Sequence, residues 1–261
     1  MCGIVGIWDS RGSRPIERSV LVRMNQSQHH RGPDETGLHL APGVGLGHKR
    51  LSIIDLATGQ QPLFNEDGSV VVVYNGEIYN YGELIPELTA LGHVFHTRSD
   101  TEVIVHAWES WGEACVKRFR GMFAFALWDR NQQTFFMARD RLGVKPMYYA
   151  LLDDGNLLFG SELKSLMAHG GLRREIDPLA VEEYFALGYV AEPRTIFKQA
   201  LKLAPAHTLV IRRGQPLPAP KEYWDVRFTL GNKISAEDAC AELNARLRES
   251  VRLRMIAEES A

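Results

Sequence analysis

Residues 3–8, Gly3-Ile4-Val5-Gly6-Ile7-Trp8, form an unbroken apolar run that Asp9, Ser10 and Gly12 end. Such a run predicts a strand buried on both faces, starting almost at the first residue. The period then changes. Across residues 16–28, Val20, Leu21 and Met24 fall on one helical face. His29-His30-Arg31-Gly32-Pro33-Asp34 reads as a polar loop rich in turn residues. Residues 45–54 and 70–74 predict a second and a third strand, and Asn75-Gly76, a strong turn signal, follows the third directly. A helix is predicted over 81–91, with Leu84, Leu88 and Leu91 on one face and Pro86 delaying or bending it. The next helix is better marked. Ser99 with Glu102 makes a capping box, Asp100 falls in the first turn, and Val103, Ile104, Ala107, Trp108 and Trp111 repeat at helical spacing.

After Gly121 the pattern is that of strands separated by turns, at residues 122–128, 134–138, 148–152 and 157–159. Two short helices follow, near 161–168 and 178–187, and then a strand over 207–212. A Pro-rich connector occupies 214–220. Beyond it, Ser235 and Asp238 form a second capping box for a long helix. Its inner face would carry Cys240, Leu243, Leu247, Val251 and Met255.

Composition narrows the function classes. The 261 residues suffice for one large domain or two small ones, with no need of a disulfide or metal to hold a core. Lys+Arg number 30 and Asp+Glu 32, so the net charge of −2 offers no single-sign field for nucleic acid or an anionic membrane. No apolar run is long enough to span a bilayer, and no signal peptide opens the chain. The 3 cysteines, Cys2, Cys115 and Cys240, cannot all pair internally, so they are expected as free thiols in a reducing, cytoplasmic compartment.

Cys2 carries the first candidate chemistry. If the initiator Met1 is removed, its thiol lies beside a free α-amine. An unperturbed amine titrates at about 8 and a thiol at about 8.5, so the amine is able to take the thiol proton near neutral pH. One residue then supplies nucleophile and base. Further along, the short sequence Met1-Cys2-Gly3-Ile4-Val5-Gly6-Ile7 resembles the opening of class II glutamine amidotransferases, which are N-terminal-nucleophile hydrolases. Six blocks agree in order: His30-Arg31-Gly32-Pro33-Asp34, Arg50-Leu51-Ser52-Ile53-Ile54-Asp55, Tyr74-Asn75-Gly76-Glu77-Ile78-Tyr79-Asn80, Ser99-Asp100-Thr101-Glu102, Gly121-Met122-Phe123-Ala124-Phe125-Ala126 and Arg139-Asp140-Arg141-Leu142-Gly143. Gly160-Ser161-Glu162-Leu163-Lys164 adds a seventh. The Arg-Gly-Pro-Asp form is similar to that of the glutamine-hydrolysing asparagine synthetases, since other branches of the class differ where Pro33 stands. The resemblance covers residues 2–212 and continues weakly through the tail helix.

The resemblance implies an α+β fold, a four-layer αββα sandwich of two antiparallel sheets packed face to face. It implies hydrolysis of L-glutamine to glutamate and ammonia, with Cys2 as nucleophile and Asn75 and Gly76 as oxyanion donors. Arg50 would grip the glutamine α-carboxylate and Asp100, helped by Glu77, the α-ammonium. The backbone of Leu51, Ile53 and Ile54 would line the pocket, and Arg31 and Asp34 would order the loop over it. Asn75-Gly76 reads equally as a plain hairpin turn, and Asp100 as a carboxylate favoured by a helix N-terminus.

No metal is expected: His29, His30, His39 and His48 lack a ligand pattern and suit packing. Gly43-x-Gly45-x-Gly47 is no phosphate-binding fingerprint, Cys115 suits a core, and Arg246, Arg248, Arg252 and Arg254 suit a solvated face or an interface. Residues 2–214 are expected to be the glutaminase domain, and 215–261 a connector plus the first helix of a synthetase domain otherwise absent. ATP and Mg²⁺ would belong to that synthetase domain, in cis or in trans, whose Ser-Gly-Gly-x-Asp-Ser loop this sequence lacks. The chain alone would hydrolyse glutamine without making asparagine, and the family tends to form homodimers. An acceptor other than aspartate, or a non-catalytic scaffold, are the other readings.

Overall fold

The computed structural model describes residues 1–12, 14–52, 55, 57–228, 231 and 234–255. Ile53 and Ile54, both expected at the pocket, lie outside the described residues. The strands are β1 (Gly3–Asp9), β2 (Glu35–Ala41), β3 (Val44–Arg50), β4 (Leu63–Phe64), β5 (Val70–Ile78), β6 (Gly121–Asp129), β7 (Thr134–Arg139), β8 (Tyr148–Leu151), β9 (Asn156–Gly160), β10 (Leu201–Lys202), β11 (His207–Arg212) and β12 (Lys221–Glu222). The helices are α1 (Arg18–Gln26), α2 (Tyr81–Ala90), α3 (Glu102–Trp111), α4 (Leu163–Met167), α5 (Pro178–Leu187) and α6 (Ala236–Arg254). Two antiparallel six-stranded sheets result, in the orders β10-β8-β9-β1-β3-β2 and β12-β11-β7-β6-β5-β4.

The apolar runs explain the layering. In β1, Ile4 and Trp8 point into the space between the sheets, while Val5 and Ile7 point to the layer that holds Leu21 and Met24 of α1 and Leu166 of α4. In β5, Val71 and Val73 face the inter-sheet layer, whereas Val70, Val72 and Tyr74 face Leu84 and Leu88 of α2 and Val103 and Trp108 of α3. A strand covered on both faces has no polar alternation, which is why these read as continuous apolar runs. Trp8 stacks on Phe135 of β7 across the gap, with ring centroids 5.5 Å apart. Helix, sheet, sheet, helix is the four-layer αββα sandwich. No described helix is long and apolar enough to cross a membrane.

Several expectations change. The strand predicted over 45–54 starts at Val44 and stops at Arg50, and the half-exposed strand β2 beside it was not foreseen. The strand predicted over 70–74 does not end at a turn. It continues through Asn75 and Gly76, which pair with Ala124 and Phe123 of β6. A type I′ turn needs positive φ at both central residues, and neither Asn75 nor Gly76 has it. The expected capping box at Ser99 is also absent. α3 begins at Glu102, whose carboxylate accepts from the N–H groups of His96 (2.8 Å) and Thr97 (2.7 Å) instead. Leu91 is exposed rather than on a buried face. The Ser235 cap of α6 forms as expected, but its apolar row is exposed throughout. Packing of the body continues past residue 214: Tyr223 donates its hydroxyl to the Arg139 carbonyl (2.9 Å) and packs on the α2–α3 core.

Candidate active site

The chain start is pinned on every side. β1 lies between β3 and β9. Ile4 donates its N–H to Ser161 Oγ (3.0 Å), and its carbonyl accepts from Ser161 N–H (2.9 Å) and Gln28 Nε2 (3.0 Å). Arg31 Nε donates to the Cys2 carbonyl (3.0 Å) while its Nη1 bonds Glu162 (3.2 Å). Cys2 is therefore held, unlike the frayed termini of most chains. By the alternation of β1, Cys2 shares the inter-sheet side with Ile4. The Leu51 N–H donates to its sulfur (3.4 Å), which in turn faces the Leu51 carbonyl (3.6 Å).

A small pocket opens here. Of the residues singled out in sequence, Cys2, Arg50, Leu51, Gly76, Glu77 and Asp100 line it together. Gly59, Gln61, Tyr74, Ser99 and Thr101 complete the wall. Arg50 comes from the end of β3, its guanidinium bonded to both Glu35 oxygens (3.1 Å each) and to the Asp55 carbonyl. The Ser52 N–H bonds Asp34 Oδ2 (2.8 Å), so Asp34 orders the turn after β3.

β5 supplies the far wall. Beyond Val72 its edge has no partner strand among the described residues, so alternate N–H groups face the pocket side. Tyr74 N–H is taken by Gln61 Oε1 (2.6 Å) and Ile78 N–H by Asp100 Oδ2 (2.8 Å). Gly76 N–H points to the same edge between them, by the two-residue period. No side chain fits at Gly76: a Cβ would lie 2.3 Å from the Met122 carbonyl oxygen. Asn75 shares the inter-sheet side with Val73. It is buried, and its Nδ2 has no hydrogen-bond partner.

The pocket is acidic, and burial dominates the titration of its groups. Asp100 is fully buried and accepts from the Tyr74 hydroxyl (2.7 Å) as well as Ile78, yet burial still raises its carboxyl above the ordinary range. Burial first, and then Asp100, push Glu77 up to about 8, with Lys145 opposing. Burial raises the Cys2 thiol too, against the pull of the Leu51 backbone, the terminal amine and Arg50. The α-amine, carried here by the exposed Met1, is lowered by burial.

Sequence reasoning missed Gly59, Gln61 and Lys145. Lys145 is buried, its ammonium lowered by burial and interacting with Glu77 and Cys2. It lies just beyond the Arg139–Gly143 block, the one signal that would have found it. Two of the discounted histidines do pack: His48 bridges the sheets from Nε2 to the Tyr74 carbonyl (3.1 Å) and is held down to about 3 by burial, and His39 meets Phe64 edge-on. All 3 cysteines are free, and Cys115 is buried.

A cysteine held next to the chain start between two antiparallel sheets, facing a polar pocket, matches the fold class of N-terminal-nucleophile sandwiches. Comparison with solved structures agrees on that fold. Glutamine phosphoribosylpyrophosphate amidotransferase from B. subtilis superposes with a TM-score of 0.61 over 85% of this chain and 49% of its own, at 19% identity. The allosteric regulatory enzyme of purine biosynthesis gives 0.58 over 81% of this chain and 47% of its own, also at 19% identity. The family model for the glutamine amidotransferase domain matches residues 1–224. The chain belongs to that family. Among its relatives, asparagine synthetase [glutamine-hydrolyzing] 3 of Bacillus subtilis (strain 168) is 36% identical over 262 residues, which is 99% of this chain and 42% of the relative. Asparagine synthetase [glutamine-hydrolyzing] 1 of the same organism is 41% identical over 215 residues, 81% of this chain and 34% of the relative. The chain thus spans less than half the length of these relatives.

Proposed function

We propose that this chain hydrolyses free L-glutamine to glutamate and ammonia, with Cys2 as the nucleophile. The observation that carries the reading is one pocket lined by a thiol at the chain start, a cation at Arg50, a half-buried carboxylate at Glu77 and a buried one at Asp100. A zwitterionic amino acid matches that charge pattern, with its carboxylate on Arg50 and its ammonium on Asp100 and Glu77. Arg50 shares its fork with Glu35, which holds it in place beforehand. Loss of Met1 puts the α-amine on Cys2, in surroundings whose burial lowers an amine below its ordinary value. The amine takes the thiol proton as sulfur attacks the side-chain amide carbon. The Asn75 amide and Gly76 N–H hold the resulting oxyanion. The amine returns its proton to the departing ammonia, and then deprotonates the water that opens the thioester.

The ammonia serves an asparagine-synthetase-type amidation of aspartate, as the names of the relatives suggest. That half would be a synthetase domain in cis or in trans, holding ATP and Mg²⁺, while the glutaminase half uses no cofactor. We place the protein in the cytoplasm, as a homodimer. Intact mass together with glutamate release tests the catalytic reading. Loss of Met1, with activity abolished in Cys2→Ala, is the expected result. A retained Met1 with full activity would sink the proposed base.

A further inference from the structure

Four side chains that the glutamine pocket does not use converge on the far part of α3. His106 and Glu109 lie three residues apart on that helix and so share a face. Glu66 comes from the turn between β4 and β5, and His93 from the loop after α2. His106 Nδ1 is 3.4 Å from Glu66 Oε2 and 3.6 Å from Glu109 Oε2. His93 Nδ1 is 3.2 Å from Glu66 Oε1 and 3.9 Å from Glu109 Oε2. One ligand atom from each of the four lies within 4.8 Å of all the others.

The shorter of these spacings, 3.2–3.6 Å, are close to those of a coordination shell, and the wider ones lie within a small inward movement of it. Bonds of about 2.0–2.1 Å in a tetrahedron set neighbouring ligands about 3.3–3.4 Å apart. The donors are also oriented from behind. His93 Nε2 meets Ser110 Oγ (2.8 Å), and His106 Nε2 faces Glu102 Oε1 (3.5 Å). Asn65 Nδ2 donates to Glu109 Oε1 (2.8 Å) and the Val94 N–H to Glu66 Oε1 (2.9 Å). Glu109 thereby keeps its Oε2 turned to both histidines, and Glu66 presents Oε2 to His106 and Oε1 to His93. Such outer contacts are what fix metal ligands. An independent observation points to a ligand. His106 is fully buried, and its ring nitrogens meet the Glu66, Glu109 and Glu102 carboxylates only at 3.4–3.6 Å, with no well-formed hydrogen bond to any of them. A buried imidazole left so is costly unless something satisfies it.

We propose that Glu66, His93, His106 and Glu109 bind a divalent first-row transition-metal ion, of which zinc fits best. Two imidazole nitrogens and two carboxylate oxygens are donors for such an ion. Four protein ligands make the site a closed, structural one. The ion clamps α3 to the β4–β5 turn and to the loop after α2. Asp100 lies two residues before the start of α3, so the clamp also steadies the helix behind the pocket. The proposal departs from the expectation of no metal, which was read from other histidines.

The test uses the full chain, stripped with a chelator, and does not depend on glutamine hydrolysis. Zn²⁺ is titrated against a chromogenic competitor, and Co²⁺ is followed by visible absorption. The expected result is one ion per chain, the intense bands of four-coordinate cobalt and a raised melting temperature. His93→Gln and Glu109→Gln, at partly exposed positions that are safe for folding, should each weaken zinc at least about tenfold. Cys2→Ala should bind as before. Absence of stoichiometric binding of either metal would overturn the site, as would binding unchanged in the His93→Gln/Glu109→Gln double variant. In that event His106 is an imidazolium among carboxylates, visible by NMR as a ring with both nitrogens protonated.

Discussion

Glu77 sits in the pocket with its carboxyl pushed up to about 8, by burial first and by Asp100 second. Its folded value lies above the ordinary 4.5, so the folded state binds the extra proton between the two. Stability is therefore lost as pH rises through that window. Glu77→Gln should be more stable than wild type at pH 8–9, by on the order of 1 kcal/mol, and nearly equal to it at pH 4. Urea unfolding at the two pH values measures this. An α-ammonium placed beside Glu77 and Asp100 favours their charged forms. Glutamine binding to Cys2→Ala should then release protons and tighten from pH 6 to pH 8, by at most about tenfold per unit. A dissociation constant flat over that range would rule out these carboxylates as the ammonium site. Cys2 was legible in sequence from its position beside the chain start, and Arg50 and Asp100 through the motif blocks that carry the family resemblance. Gln61 and Lys145 were not. Gln61 matters because its amide meets Tyr74 N–H at a strand edge, and Lys145 because a loop folds its ammonium toward Glu77. Neither fact exists before the sheets assemble.

At the scale of the element, β5 shows where local signals lose to pairing. Asn75-Gly76 is a turn dipeptide by propensity, but β6 offers an apolar partner along its whole length and holds the pair extended. The glycine is there for clearance rather than for positive φ. Gly76→Ala would drive a methyl into the Met122 carbonyl and should destabilise the fold by about 1–3 kcal/mol, read by thermal unfolding. Asn75→Ala separates folding from chemistry. It removes a buried amide whose nitrogen has no partner, so the resting protein loses little. It should lower kcat about 10²–10³-fold with KM little changed. An equal loss in KM alone would mean that Asn75 binds substrate rather than the oxyanion. The doubly buried strands β1, β6 and β7 were legible because their apolar runs are unbroken. β2 was not, because as an edge strand with partly exposed residues it carries no such run.

On the scale of the whole molecule, three apolar layers hold the sandwich together, and α6 joins none of them. The helix has no buried residue. Leu243, Leu247, Val251 and Met255 are 54–76% exposed. Its attachments to the body include the Arg254 guanidinium 4.4 Å over the Tyr79 ring and an exposed Arg120–Glu249 pair at 3.8 Å. An exposed cation–π contact is worth about 0.5–1 kcal/mol, and an exposed ion pair about 1 kcal/mol at most. Tyr223, by contrast, packs into the α2–α3 core and hydrogen-bonds Arg139. The structural boundary of the glutaminase domain is therefore proposed between Tyr223 and α6. A chain truncated after Phe228 should keep its melting temperature within a few degrees and its glutamine hydrolysis within about twofold. With the apolar row gone, it should also self-associate less in sedimentation. Truncation after Gly214 removes Tyr223 and β12 and should lower the melting temperature clearly further. If the two truncations behaved alike, or the longer one failed to fold, α6 would belong to the domain in spite of its exposure.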